Sequence, residues 1–518
     1  MRFLGFGLIF TLAIFAVSCH QTGFPHGGRE YADRGSTSGG GGGDGTGNDG
    51  FRPPFPPTGE GGIPGGNIPG WDTGSPSNPG GRMTVAEQLD WLRNNAPAGS
   101  GFNVWAWQNV PERFYNQAIE GVDGAAITVL MQSYYAQSRS LQLGMGGNTM
   151  FTVQGATLIL QNIELLGRPG NSAALVSTAA GGTVTMGRYS VIRSSHYGVV
   201  VGNGGILNMD RNSAVRNNNV DGVRVMNGGV MNMIENASVS GSQARDGVSL
   251  IGGRLEMREQ SVIYNNAVRG VRIGSNGSLF MTGEALITAN NGGVHSNTGT
   301  IEMSENALIF SNAIFYASGG GVNANNTTLT MRGNAGIRNN FVVSQSPAQA
   351  GGVVLMNSTL NMLDDAEISG NVCHQSGNIG HPGGGVTASN STIRMRNRAS
   401  IHSNTNFNAT NGSGGVWLHN SSLYMHDNDV RIKGNATHRS EGGGVRLQFN
   451  STLTIHGGLI YGINHTDSPN RNVRAAGTPP AGHALYINGT GSTVTGVGLG
   501  GITTRNNTFG VQNGSPVL

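Results

Sequence analysis

Only two of the 518 residues are Cys, at positions 19 and 373, so no disulfide framework can hold this chain together. Charge is scarce too: 11% of residues are charged, against about 25% in ordinary domains. The balance of 31 basic and 28 acidic residues leaves a net charge of +3, too small to argue for nucleic acid or an anionic surface as partner. No stretch of 20 apolar residues occurs, which argues against a transmembrane helix. Strict three-residue glycine spacing is absent, which excludes collagen.

Glycine and asparagine are abundant instead, at 87 and 55 residues. Both are poor helix formers, so long helices are excluded. Val, Ile, Leu and Met recur through most of the chain, so it is not disordered as a whole. The glycines fall into two unlike groups. Twenty-three precede Met83, mostly in a Gly/Pro-rich segment expected to act as a tether over 19–82. The other 64 lie in the body, many at expected corners where a positive φ permits a sharp turn.

Arg2 followed by the apolar stretch Phe3 to Val17 reads as a secretory signal over 1–18. It ends in Ala16-Val17-Ser18-Cys19, which resembles a bacterial lipobox with Ala in place of the usual first Leu. That resemblance implies diacylation of Cys19 and a lipid-anchored protein of the cell envelope, at the outer membrane or cell surface. Further on, Thr84-Val85-Ala86-Glu87 fits a capping box, and Val85, Leu89 and Leu92 form one apolar face. A short helix is therefore expected to cap whatever follows, and 83–148 is assigned to this cap and irregular first coils.

From 149 to 518 one unit recurs: Gly-Val-x-apolar, a polar turn, Leu-x-Met, a short turn, Ile, then Asn. The Met place is filled by Met186, Met209, Met233, Met257, Met281, Met303, Met331, Met362, Met395 and Met425. Six residues later comes an apolar residue, such as Val239, Ile287 or Ile368, and three further lies Asn: Asn218, Asn266, Asn290, Asn312, Asn340, Asn371, Asn404. Three short strands of period two in 22–24 residues leave no room for a helix. They predict an all-β parallel β-helix of about 13 coils, with Met and Leu in the core and a ladder of Asn amides at one corner.

This pattern resembles the right-handed parallel β-helix proteins of the pectin-lyase-like superfamily. It is most similar to β-helix lipoproteins of treponemal spirochaetes, which share the lipid signal, tether, cap helix and Gly-Gly-Val coils. The Gly-Gly-Val and Ile-x-x-Asn motifs also resemble those of chlamydial polymorphic outer-membrane proteins. This sequence ends at Leu518 without their amphipathic strand array, so an autotransporter route is not expected.

After residue 312 the unit lengthens, always between the Asn corner and the next Gly-Val. The added segments begin at Ala313, Phe341, Val372, Thr405, Ala436 and His465. Insertions at one corner of successive coils must emerge side by side. They are expected to form a binding edge carrying Phe315, Tyr316, Phe341, His374, His381, Phe407, His438, Arg439, His465 and Asp467, beside an outward Trp417. A tolerated drift in loop length is the alternative.

The resemblance also implies where an enzyme would keep its acids. Asp364-Asp365, Gly380-His381 and Arg431-Ile432-Lys433 follow the order of polygalacturonase motifs. No Asn-Thr-Asp precedes them, Pro382 replaces a Gly, and Ile432 is the repeat's own core residue. Eight of the 13 His lie between 374 and 465, at different coil positions, so no metal site is expected. The Asn-x-Ser/Thr triplets, such as Asn357-Ser358-Thr359, are read as corner sequences. The expected function is a monomeric, non-catalytic surface lipoprotein. Its partners would be the membrane, through the lipid, and a host protein or glycan at the loop edge, with no cofactor. The alternatives are a carbohydrate-active enzyme of the pectate lyase or polygalacturonase type, and a structural spacer.

Overall fold

A computed structural model describes residues 84–512. It leaves out 107–111, 115, 122–125, 134–138, 146–147, 169, 316–318, 345–349, 376–382, 408–411, 439–441, 463–467, 473–483, 489–490 and 496–509. The signal, Cys19 and the tether therefore lie outside the described residues.

The chain winds as a parallel β-helix. Three long sheets of 15, 14 and 15 strands run along it, and within each sheet neighbours come from successive coils. They are named here by the residue each buries: the Met sheet, the Ile sheet and the Val sheet, in chain order within a coil. All the paired strands are parallel, and the repeat register is kept residue for residue, as in Met186↔Met209, Met209↔Met233 and Met233↔Met257. All ten repeat Met residues are buried, as are Val239, Ile287 and Ile368. Parallel strands cannot join by tight hairpins, so each coil supplies one strand to each sheet. At about 4.8 Å per coil, the 15 strands of the Met sheet span roughly 70 Å.

The first coils, expected to be irregular, already pair in register. Gly101–Ala106 pairs with Thr128–Ser133 over six residues, in the same sheet as the repeat Met strands. Ahead of it, helix α1 (Val85–Asn95) carries the complete capping box. The Thr84 amide donates to Glu87 Oε2 at 2.7 Å, and the Glu87 amide donates to Thr84 Oγ1 at 3.2 Å. Val85, Leu89 and Leu92 are buried on the first coil. Gln88 does the work of a missing strand: its Nε2 donates to the Trp105 carbonyl and its Oε1 accepts from the Trp105 amide, both at 3.0 Å. A sheet edge that would otherwise template another chain is thereby closed.

Two polar ladders run inside the corners. Each corner Asn from 266 onward donates Nδ2 to Oδ1 of the next, through 290, 312, 340, 371, 404, 435 and 470, at 2.9–3.0 Å. Ser195 and Ser242 fill the same place in earlier coils, where their amides donate to Asn218 and Asn266. The Asn-x-Ser/Thr triplets build the second ladder. Asn357, Asn390 and Asn420 sit at φ 49, 50 and 46, the left-handed region that Asn tolerates. The Ser after each turns inward: the Ser358 amide donates to Ser391 Oγ, and the Ser391 amide to Ser421 Oγ, both at 3.0 Å.

The lengthened units are more ordered than loops. The first five insertions begin with a strand and the sixth contains one, and these form a fourth, six-stranded parallel sheet: Ala313–Phe315, Phe341–Ser344, Val372–Gln375, Thr405–Phe407, Ala436–Thr437 and Arg471–Asn472. Ile314, Val342 and Cys373 form a small second core on its inner side, followed by buried Asn406 and Thr437. Burial pushes the Cys373 thiol up to about 12. Glycine is required where the returning chain crosses this sheet. A Cβ at Gly351 would sit 2.5 Å from the Val372 amide nitrogen, and one at Gly320 would sit 2.8 Å from the Phe341 carbonyl oxygen. Among the described residues the fourth sheet starts at Ala313, and in earlier coils Asp221, Asp246 and Arg269 occupy the register place of these glycines.

Candidate functional site

The fourth sheet brings four of the expected edge residues, Phe315, His374, Phe407 and His438, into one column. In-register pairing aligns Phe315, Val343, His374 and Phe407, and His438 follows Thr437, the partner of Asn406. The His374 and Phe407 rings lie 6.2 Å apart, and those of Phe407 and His438 stack at 4.3 Å and 19°. Phe341, His374, Phe407 and His438 are all half-buried. Burial lowers the His438 pKa, which favours a neutral ring. Only the backbone of Phe315 is described, and Tyr316, His381, Arg439, His465 and Asp467 lie outside the described residues.

Trp417 is corrected. It points away from the coil core, as its register between Thr387 and Arg446 requires, yet it is only 3% exposed. The chain returning from each insertion covers this face. A Cβ on Gly319 would meet the Asn323 side chain at 2.9 Å, and one on Gly442 would meet Arg446 Cβ at 2.9 Å. The Gly383 amide donates to Thr387 Oγ1 at 2.7 Å. Trp417 instead stacks on His419 at 5.5 Å, while Arg446 is fully buried with its guanidinium 5.1 Å from the Tyr486 ring centre. Outward from a coil is thus not the same as exposed.

Among the described residues, the acids that would carry hydrolysis are each held by a structural partner. Asp364 stands at φ 57 and accepts from the Gly333 amide at 3.1 Å and from Asn397 Nδ2 at 2.8 Å. Asp365 is held by Arg398, whose Nε donates at 2.6 Å, and that bond keeps its carboxyl below the usual range. Ile432 is buried in the core. Glu367 binds His402 at 3.1 Å and Arg338 at 2.6 Å; burial works against ionisation, but the bonds from His402 and Ser369 win and hold it at about 2. Among the described residues, no group of three or more His, Cys, Asp or Glu is placed to hold a metal ion.

One group escaped the sequence altogether. Asp221 and Asp246 are buried, at 1% and 2% exposure, on neighbouring coils beside Arg224, Arg269 and Arg272. Arg224 donates Nη2 to Asp221 Oδ2 at 2.8 Å, and Arg269 Nη1 lies 3.5 Å from Asp246 Oδ1. Burial pushes Asp246 up to about 6. Carboxylates this enclosed cannot reach a glycosidic oxygen as acid and base, which must flank the scissile bond. Their only legible signal was Asp-Gly-Val at 221 and 246, where later coils read Gly-Gly-Val.

No family model matches the chain, and no curated protein matches it.

Proposed function

We propose that the protein is a lipid-anchored envelope protein whose β-helix is a rigid, non-catalytic display rod, with the fourth-sheet edge as its recognition surface. The right-handed pectin-lyase-like architecture and the likeness to treponemal lipoproteins belong to the same proposal, on the strength of the lipobox-like Cys19 and the Gly-Gly-Val coils. The observation that carries it is the half-buried column His374, Phe407 and His438. It stands on a sheet added to the rod over six coils, and binding residues commonly sit on segments carried by a rigid scaffold. The carboxylates argue for the same reading, since each described candidate acid is committed to a structural partner or enclosed.

The test screens the mature chain against immobilised glycans and extracellular-matrix proteins, with product detection on every polysaccharide. A ligand should be retained by the wild type and lost by the triple variant His374→Ala, Phe407→Ala, His438→Ala with its circular dichroism unchanged. Retention by the triple variant removes the edge from the proposal, and turnover of any polysaccharide overturns the non-catalytic claim.

A further inference from the structure

Over three successive coils the Ile sheet is apolar on both faces. Elsewhere its strands commonly set one inward apolar residue between two polar ones, as in Ser238–Ser240, Glu367–Ser369, Ser400–His402 and Arg431–Lys433. Val262–Tyr264, Leu286–Thr288 and Leu308–Phe310 depart from that pattern. In-register pairing sets Val262, Leu286 and Leu308 in one outward column and Tyr264, Thr288 and Phe310 in the next. All six are partly exposed. Strands that read as continuous apolar runs are ordinarily covered on both faces, and a contiguous exposed apolar patch marks an interaction site.

The next strand keeps the face flat. A Cβ at Gly336 would meet Arg338 Nε and, at 2.9 Å, Leu308 Cδ2, so the Arg338 side chain lies back across its own strand. Charges of both signs stand beyond the patch at either end. Glu164, Arg193 and Arg216 lie on the earlier coils, and Arg338, Glu367 and Arg431 on the later ones. Arg216 is exposed and makes no ion pair among the described residues. An anionic bilayer laid on this face would meet Glu164 and Glu367, so the mixed signs favour a partner that is itself mixed.

We propose that this face binds a second copy of the chain, the two rods lying side by side and antiparallel about a two-fold axis along the Leu286–Thr288 strand. Such an interface is isologous, so each contact occurs twice. Counting coils outward from Leu286, the axis sets Leu286 on its own copy, Val262 on Leu308 and Tyr264 on Phe310. One coil further, Ser238 and Ser240 meet Gly336 and Arg338. Arg216 then meets the Glu367–Ser369 strand, and two coils beyond it Glu164 meets Arg431.

Charge selects this register. A shift of one coil sets Arg216 on Arg338 in one direction and Arg193 on Lys433 in the other. Turning the second rod parallel sets Arg431 on Lys433. The eleven coils from Glu164 to Arg431 span roughly 48 Å, and three-residue strands are about 10 Å wide. Such a face buries about 500 Å² on each copy, or about 1,000 Å² in all, the lower end of specific interfaces. The pair is therefore a weak, concentration-dependent dimer, in place of the monomer expected from the sequence.

The test uses the full chain carrying Cys19→Ala, without detergent, so that the acyl group neither anchors nor aggregates it. Sedimentation across a concentration series should show a monomer–dimer equilibrium. Leu286→Arg should abolish the dimer and Arg216→Glu should weaken it about tenfold, both with unchanged thermal unfolding. Thr288→Cys, next to the axis, should form a disulfide between copies under mild oxidation, while Cys373 is buried and does not compete. Val191→Cys and Ser400→Cys lie four coils to either side, and they should cross-link when mixed and not when alone. A chain that stays monomeric across the series, or a Leu286→Arg dimer as stable as wild type, would overturn the assignment. Cross-linking of Ser400→Cys with itself would overturn the antiparallel register. Pelleting of the Cys19→Ala chain with anionic vesicles, lost through Leu286→Arg, would give the face to a bilayer instead.

Discussion

Replacing Asn371 by Asp changes one atom in the middle of the amide ladder and should make the stability of the rod depend on pH. The Asn371 side chain is buried, and its Oδ1 accepts from the Asn340 amide at 2.9 Å and from Asn340 Nδ2 at 3.0 Å. Its Nδ2 donates to Asn404 Oδ1 at 3.0 Å and to the Ile337 carbonyl at 2.8 Å. In Asn371→Asp the first two bonds survive, but an oxygen now faces two acceptors. Protonated, the acid restores one of the two donations; ionised, it is an unpaired buried charge. Full burial raises a carboxyl pKa by up to about 3–5 units. A shift of about 3 units amounts to about 4 kcal/mol. The folded pKa lies above the unfolded value of about 3.9. Stability is therefore kept below that pH and lost as pH rises through the folded value, near 7. Asn371→Ala serves as the control. It leaves the Asn340 amide and the Ile337 carbonyl without these partners, at about 1–3 kcal/mol each, and this loss should not change with pH. Urea midpoints of wild type and both variants between pH 4 and 8, with hydrogen exchange at coils 340–404 to localise the loss, measure the effect. If Asn371→Asp tracks wild type in parallel across that range, the ladder is not a dry, fully committed network and the reasoning fails.

The glycine at the fourth-sheet crossing is also testable. Gly351→Ala puts a Cβ 2.5 Å from the Val372 nitrogen and should cost about 1–3 kcal/mol through overpacking, read as a lower urea midpoint at unchanged slope. Asp210 is pushed up to about 6, first by burial and then by Glu235, and its Oδ1 has no partner. Its raised folded pKa means that stability is present below about pH 4 and lost as pH rises through 6. Asp210→Asn should raise the melting temperature at pH 8 by an amount that vanishes at pH 3, and a pH-independent difference would refute the assignment. Labelled palmitate should enter the wild-type chain in a lipoprotein-processing host and be excluded by Cys19→Ala; equal labelling of both removes the anchor from the proposed function.

The coil was legible because its signals are local. Leu-x-Met places two residues inward whatever lies elsewhere, Asn at 357, 390 and 420 announces a left-handed corner, and Asn repeated three residues after Ile implies stacked amides. The cap was legible for the same reason, since a capping box closes within four residues. The insertions were seen at the right corner, but not as strands. Ile314, Val342, Cys373, Asn406 and Thr437 share no residue type, and their pairing spans 28 to 33 positions. Exposure was the least legible property. Trp417 and Arg272 occupy the same outward column, and the sequence treats them alike. One is enclosed and the other open, because the segment returning from an insertion covers the first and, among the described residues, none crosses the second. Asp221 and Asp246 likewise lie 25 residues apart and come together only through coil stacking, where the Asp246 amide donates to Asp221 Oδ1. Periodicity along the chain thus determined which residues form the core of this protein. Contact between coils decided which of the others face water, because solvation depends on what lies above a side chain in space and not on what flanks it in sequence.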